Sequence, residues 1–396
     1  MRSLAAVLMV NATGNGLFLA VSTLWFTHGL GYSAQRVGLT LTLAGLCGIL
    51  AAFPAGRAAD RYGAKPVLAC LHLGQAVATA GYAVADSYAA FLLLACTVTV
   101  GSRANAAVRS TLYVHSLPAA TRAPALGLLR AVNNVGIGAG AALGAAVVAS
   151  GHADAYRAAI LAGAAGFLLA LVPLRSVPTV VPPGPGAPAA RRGAPTGVLR
   201  DLSFLAVTGL NAIVNMLYIV LEVALPLWLI GHTTAPRALV GVLLVVNTAL
   251  VVALQVRAAR SAADLRSAAR SFRTGGLLIA LACITAAAAT HRSPAVATVV
   301  LLTAVLFLTL GEVTSQAGSW TLGYGLAPDH AQGSYQGVFQ TGISITQALG
   351  PLAVTALVLP HGAPGWWALG ALFAAAALAL PPLTRHTEKR RNDPDE

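Results

Sequence analysis

Gly56-Arg57-Ala58-Ala59-Asp60-Arg61-Tyr62-Gly63-Ala64-Lys65 is a polar island between two apolar runs, 36–56 and 66–85. A helix needs about 20 apolar residues to cross a hydrocarbon core about 30 Å thick, and both runs meet that length. The island gathers three cations and one acid where the chain must turn, with Gly63 permitting a tight turn. Read outward, the same alternation continues to both ends of the chain. Apolar runs at 4–28, 36–56, 66–85, 88–112, 124–149, 154–174, 202–230, 237–257, 272–290, 294–322, 333–359 and 364–383 predict twelve membrane-spanning helices.

Composition agrees. Of 396 residues, 57% are hydrophobic and 9% charged, whereas soluble domains carry roughly a quarter charged residues. The 40 glycines and 21 prolines follow no short period, which excludes collagen, and the apolar content excludes a disordered chain. The net charge of +13 would suit a nucleic-acid binder if it were not confined to the segments between apolar runs. With both termini inside, 19 Lys and Arg fall on the inner side and four (Arg36, Arg157, Arg237, Arg292) on the outer. That asymmetry places both termini in the cytoplasm. The first run is too long for a signal-peptide core and contains Asn11 and Asn15, so it reads as a retained helix. Trp25, Phe26, Trp228, Trp366 and Trp367 fall at outer span ends and are expected to form an interfacial belt. The four cysteines and nine histidines show no ligand spacing, so no metal, disulfide or cofactor is expected.

The chain also repeats itself. Asn11-Ala12-x-x-Asn15-x-Leu17-Phe18 lies over Asn211-Ala212-x-x-Asn215-x-Leu217-Tyr218 at an offset of 200. Gly101, Pro118, Gly127 and Gly140 lie over Gly311, Pro328, Gly337 and Gly350 at an offset of 210. Two like-directed halves joined by a Pro- and Gly-rich linker imply two pseudo-symmetric six-helix bundles. The expected division is 1–174 for the first bundle, 175–200 for the linker, 201–383 for the second bundle and 384–396 for a charged cytoplasmic tail.

At this point the chain resembles the major facilitator superfamily over its whole length, and within it the twelve-helix drug:proton antiporters. The island matches the family pattern G-x-x-x-D-[RK]-x-G-[RK]-[RK] except at Ala64, and Ala262-Ala263-Asp264-Leu265-Arg266 is a second, partial copy. The resemblance implies a cytoplasmic conformational latch built from Gly56, Asp60, Arg61, Gly63 and Lys65. Asp60 could take either a helix N-terminus or Arg61 as its partner. Gly136-x-x-x-Gly140-Ala141-x-x-Gly144-Ala145 resembles the antiporter signature of helix 5 without its proline, and Gly350-Pro351 restores that pair in the other half. Small residues at this spacing serve close helix packing, which accounts for all of these glycines.

Ionisable groups inside a membrane are costly and usually face a wet cavity or each other. Only Glu222 and Glu312 lie well inside runs as acids, with Arg103 and Arg109 on the fourth run. In the resembled fold, helices 1, 4, 7 and 10 line a central cavity, and these groups fall on that set. At 100° per residue Asn211, Asn215, Tyr218 and Glu222 form one stripe, echoed by Asn11, Asn15, Phe18 and Ser22, while Glu312, Gln316 and Ser319 share a face. We therefore expect Glu222 and Glu312 to couple protons and Asn11, Asn15, Phe18, Arg103, Asn211, Asn215, Tyr218 and Gln316 to line a substrate cavity. A carboxylate in poorly hydrated surroundings takes up a proton nearer to working pH, so proton and cationic substrate would compete for it. The reading is a secondary transporter, not an enzyme, in a bacterial cytoplasmic membrane. It would act as a monomer, exporting a small amphiphilic compound against protons, with the bilayer and no nucleic acid as partner. Proton-coupled uptake or uniport stays open, as does a membrane sensor built on the same fold.

Overall fold

The structure, a computed structural model, describes residues 1–26, 31–150, 152–178 and 197–392, and among these there is no strand. The helices of the first half are α1 (Arg2–Leu24), α2 (Ala34–Ile49), α3 (Ala52–Tyr62), α4 (Ala64–Gly81), α5 (Tyr88–Ser116), α6 (Ala119–Ser150), α7 (Ala153–Leu169) and α8 (Leu171–Arg175). Those that follow are α9 (Gly197–Arg200), α10 (Leu202–Asn215), α11 (Leu217–Ile219), a π-helical turn (Val220–Ala224), α12 (Leu225–His232) and α13 (Leu239–Arg260). They are completed by α14 (Leu265–Ala287), α15 (Pro294–Gly325), α16 (Gln332–Val358) and α17 (Ala363–Asn392).

Nine of the described helices are long and apolar enough to cross a membrane, or ten if α2 and α3, bent by 43°, form one span. α4 and α14 fall short of that measure for a visible reason. Lys65, His72 and Gln75 dilute the first, and the second opens on Arg266, Arg270 and Arg273.

The chain divides into two compact units, Met1–Pro195 with Ala327–Ser344, and Thr196–Leu326 with Ile345–Glu396. Within the first, α1 packs on α7, α4 on both α5 and α7, and α2 on α5. Within the second, α10 packs on α17, α14 on both α15 and α17, and α13 on α15. Four pairings of one unit thus have a counterpart in the other, while α1 also packs extensively on α6. A matched hydrogen bond accompanies them. The indole Nε1 of Trp25 donates to the Tyr82 carbonyl at 2.9 Å, and that of Trp228 donates to the Ala286 carbonyl at 3.0 Å. Each ties a residue near the end of one helix to the C-terminal end of a later one, α4 in the first unit and α14 in the second.

These ties overturn most of the expected aromatic belt. Trp25, Phe26, Trp228 and Trp366 are buried, and only Trp367, 56% exposed, suits an interface. An indole whose N–H finds a helix-end carbonyl inside the protein has no need of the headgroup layer. Phe18, Phe26, Tyr82 and Phe91 form an aromatic cluster with neighbouring ring centroids 4.7–6.4 Å apart, in the same buried core as Trp25. In the second unit Trp228 stacks on His232 and meets Trp366 edge-on.

Small residues let helices approach closely. Gly136, Gly140 and Gly144 of α6 lie against Met9, Thr13, Leu17 and Ala20 of α1, and at Gly140 the obstruction to a Cβ is the backbone of Thr13 and Leu17. Gly350, one residue before Pro351 in α16, abuts the side chain of Ile219. Residues 179–196 of the expected linker and 393–396 of the expected tail lie outside the described residues. The tail's beginning does not separate from the last helix: α17 runs on through Pro381 and Pro382 to Asn392.

Candidate transport site

A polar seam runs through the second unit where α10 and α13 meet α15. Asp201 starts α10 by accepting a hydrogen bond from the Phe204 N–H at 3.0 Å, a side-chain N-cap. Ten residues on, the buried Asn211 accepts from Ser319 Oγ at 2.7 Å. Asn215 accepts from Gln316 Nε2 at 3.2 Å and returns its own Nδ2 to the Asn211 carbonyl at 2.8 Å. From the other side, Asn247 Nδ2 donates to Glu312 Oε2 and to Thr309 Oγ1, both at 3.0 Å. Glu312 is 2% exposed. Thr309, Glu312, Gln316 and Ser319 thus form one face of α15, each meeting a side-chain amide of a neighbouring helix. Most of these buried polar groups are satisfied in this way, the exception being Asn211 Nδ2, which is buried without a partner.

The expected stripe along helix 7 does not continue unbroken to Glu222. A turn interrupts the helix at Met216, and Val220–Ala224 is π-helical, so 100° per residue no longer carries the register forward. Asn211 and Asn215 are buried, Tyr218 is half-buried and Glu222 is exposed. Glu222 nevertheless stays within electrostatic reach of Glu312. Single π turns inside helices occur often at functional sites, since they expose backbone and redirect side chains.

Among the described residues, Asn11 and Asn15 of the first unit do not form a seam like that of Asn211 and Asn215. Asn11 and Asn15 are half-buried, and Asn11 Nδ2 is buried without a hydrogen-bond partner. Phe18 belongs to the aromatic cluster. Arg103 is half-buried, and its aliphatic stem passes over Gly48 of α2. Sequence reasoning missed Asn247. It also missed Gln75, which accepts from Asn105 Nδ2 at 3.2 Å between α4 and α5. The signal was there in both cases: an isolated amide within an apolar run, on the buried face set by Leu243 and Val251 for Asn247 and by Leu68 and Ala76 for Gln75.

The island at 56–65 forms a second constellation. Asp60, in the last turn of α3, accepts from the N–H groups of Gly333 and Ser334 at 2.6 and 2.7 Å and from Ser334 Oγ at 2.7 Å. A carboxylate at the start of α16 meets the positive end of that helix. Gly56 faces the backbone of Gly333 and Gly337 with no room for a Cβ, which draws 327–344 into the first unit. Gly63 has φ +90°, outside the range most side chains adopt. Lys65 Nζ donates to the carbonyls of Arg175 and Val177, each at 2.7 Å, and Arg61 lies over the Tyr62 ring. Of the two partners open to Asp60, the helix N-terminus is the one it has. In the partial copy, Asp264 caps its own helix, accepting from Ser267 N–H at 2.8 Å, with Ser267 Oγ accepting from the Asp264 N–H in return. The Ser267 N–H holds the Asp264 carboxyl below the usual carboxylate range.

Among the described residues no group of three or more His, Cys, Asp or Glu side chains could hold a metal ion. A family model described as Major Facilitator Superfamily matches residues 4–351. The chain belongs to the Major Facilitator Superfamily. It is a multi-pass membrane transporter of small molecules and not an enzyme. Multidrug resistance protein MdtH of Yersinia pestis (strain Pestoides F) is 27% identical over 328 residues, 82% of this chain and 78% of that protein. The superfamily fold is equally plain in solved structures. The proton:xylose symporter XylE bound to 6-bromo-6-deoxy-D-glucose aligns with a TM-score of 0.72 and 14% identity over 95% of this chain and 94% of that one. A bacterial homologue of the iron transporter ferroportin in an outward-facing state aligns with a TM-score of 0.75 and 14% identity over 98% and 99%.

Proposed function

We propose that this transporter exports a small amphiphilic compound, drug or metabolite, in exchange for protons across a bacterial cytoplasmic membrane, acting as a monomer. The observation that carries the reading is the buried Glu312 in its amide seam, with Glu222 within electrostatic reach on a π-helical turn. Two acids inside one unit, one held by side-chain donors and one exposed, suit a site that trades protons for a cationic or polar substrate group. Similarity to a multidrug resistance protein points the same way.

Counting α2 with α3 as one span and adding α4 and α14 to the apolar helices brings the spans to twelve, arranged as bundles 1–174 and 201–383 with both termini cytoplasmic. Asn11, Asn15, Phe18, Arg103, Asn211, Asn215, Tyr218 and Gln316 would line the substrate path. Gly56, Asp60, Arg61, Gly63 and Lys65 would form the latch, closed when Asp60 caps α16 and open when it lets go. Releasing three hydrogen bonds to a carboxylate is a sizeable energy step, and proton or substrate binding must supply it for the cycle to turn.

Everted vesicles with an acid interior test this. Lipophilic cations added outside should dissipate the pH gradient with the natural protein and fail to do so with Glu222→Gln or Glu312→Gln. Substrate that equilibrates while the gradient stays intact would make the protein a uniporter and remove both acids from the coupling role.

A further inference from the structure

Where α4, α5 and α7 meet, the first unit holds polar side chains that the transport reading leaves unused. On α4, His72 and Gln75 are 1% and 4% exposed; on α5, Asn105 is buried and Arg109, one turn on, is half-buried. Asn105 Nδ2 donates to Gln75 Oε1, and the Gln75 side chain packs on Gly101, one turn before Asn105. The His72 ring lies 6.1 Å from that of Phe167 on α7, and its Nδ1 is buried without a hydrogen-bond partner. Arg109 is within electrostatic reach of His72.

The second unit shows that packing does not require these groups. An offset of 204 carries Asp60 to Asp264 and Tyr82 to Ala286, and it carries His72 to Gly276 and Gln75 to Ile279. The offset of 210 carries Gly101, Asn105, Arg109 and Phe167 to Gly311, Ser315, Ser319 and Ala377. The contacts follow the same correspondence. Gln75 lies on Gly101 as Ile279 lies on Gly311, and Gly276 meets Ala377 where His72 meets Phe167. The matching layer of the second unit is thus built from glycine, alanine, serine and isoleucine, with no ionisable side chain.

No carboxylate answers Arg109. Of the four acids of the first unit, Asp60 is met by Gly333 and Ser334, and Asp329 lies within electrostatic reach of His115. Asp86 precedes α5, along which the rise to Arg109 is about 33 Å, and Asp154 opens α7 about 20 Å before Phe167. Among the described residues, the groups that Arg109 acts on are His72 and Tyr113. A cation inside a span is costly unless a counter-charge or water meets it. Gln75 spends its oxygen on Asn105, so guanidinium, imidazole and amide N–H groups are what the layer has to offer. One unanswered positive charge suits one monovalent anion, and the planar fork of arginine matches the two oxygens of a carboxylate.

We infer that Arg109, with His72, Gln75 and Asn105, forms a binding site for a small carboxylate ion between α4 and α5. The inference stands apart from the export reading, since it uses neither Glu222 nor Glu312.

Thermal unfolding of the full chain in a neutral detergent at pH 7 tests it, with sodium acetate, chloride and sulfate compared at equal ionic strength. Acetate should raise the midpoint saturably, and the other two salts should not match it. Arg109→Gln removes the charge-assisted pair of hydrogen bonds and should weaken acetate on the order of tenfold to a hundredfold. Arg109→Lys, which keeps the charge without the fork, should weaken it less. His72→Phe should weaken it about fivefold. Arg36→Gln removes an exposed cation elsewhere in the unit and should leave the response unchanged. Should Arg109→Gln fail to fold, dialysis of the natural protein against labelled acetate carries the test: acetate should bind saturably, and acetamide, its neutral isostere, should not displace it. Equal effects of the three salts, an unchanged response in Arg109→Gln, or displacement by acetamide would each overturn the inference.

Discussion

The loop between α3 and α4 and the loop between α13 and α14 occupy equivalent places in the two units, yet their acids have different tasks. Asp60 reaches across 273 residues of sequence to the start of α16, while Asp264 accepts from the N–H only three residues ahead to cap α14. Among the cations, Lys65 closes the end of α8 and Arg61 lies on Tyr62, while Arg270 acts electrostatically on the Asp264 carboxylate. One ancestral pattern of turn, acid and basic residues can therefore become a long-range clasp or a local cap. What decides is whether glycine lets a second helix approach. Gly56, Gly333 and Gly337 bring α16 to Asp60, and the partial copy has no glycine from Ala262 to Arg266.

The contrast between halves breaks most visibly at paired glycines. Gly140 and Gly350 correspond at the offset of 210, but Gly140 abuts backbone and Gly350 abuts a movable side chain. Gly140→Leu should lower the midpoint of thermal unfolding in detergent by an amount equivalent to about 3 kcal/mol or more, and Gly350→Leu by clearly less. Equal losses would mean that α1 and α6 can part without penalty. Next in size is Asp60→Ala, which leaves three donors unsatisfied and should cost about 2–4 kcal/mol. It should also slow or abolish transport, while Asp264→Ala loses only a cap and keeps transport. A transport defect from Asp264→Ala as large as that from Asp60→Ala would dissolve the distinction.

Smaller effects probe the symmetry itself. Trp25→Phe and Trp228→Phe each remove one buried hydrogen bond while keeping most of the ring, and each should cost about 1 kcal/mol. If only one of the two variants is destabilised, the matched ties are alike in geometry but not in energy. The least effect belongs to the Asp264 cap and pH. Its carboxyl sits below the usual carboxylate range, so its contribution is complete at neutral pH and disappears as pH falls below about 4. Thermal unfolding of Asp264→Asn against the natural protein should therefore differ most near pH 7 and converge toward pH 3.

Much of this arrangement is legible in the residues. Apolar run length locates most of the long helices, because span length is a local property of the chain. Others are not local. Trp25 and Trp228 look interfacial until the carbonyls of Tyr82 and Ala286 are placed beside them, and no periodicity foretells a partner nearly sixty residues away. Asn247 is hidden for the same reason, since its importance lies in Glu312 on another helix. The polar stripe ending in Glu222 misleads because its arithmetic assumes an unbroken α-helix.

That interruption shows in the spacing of the two halves. Ten residues separate Asn15 from Trp25, but thirteen separate Asn215 from Trp228, although the asparagines and the tryptophans are equivalent landmarks in the two units. Helix 7 thus holds three residues that helix 1 lacks, and it accommodates them where it leaves α geometry, at Met216 and Val220–Ala224. Glu222 lies inside this extra stretch. Ser22, its counterpart at the offset of 200, lies in a stretch of helix 1 that is still α-helical, so the acid stands where the geometry of the two helices parts.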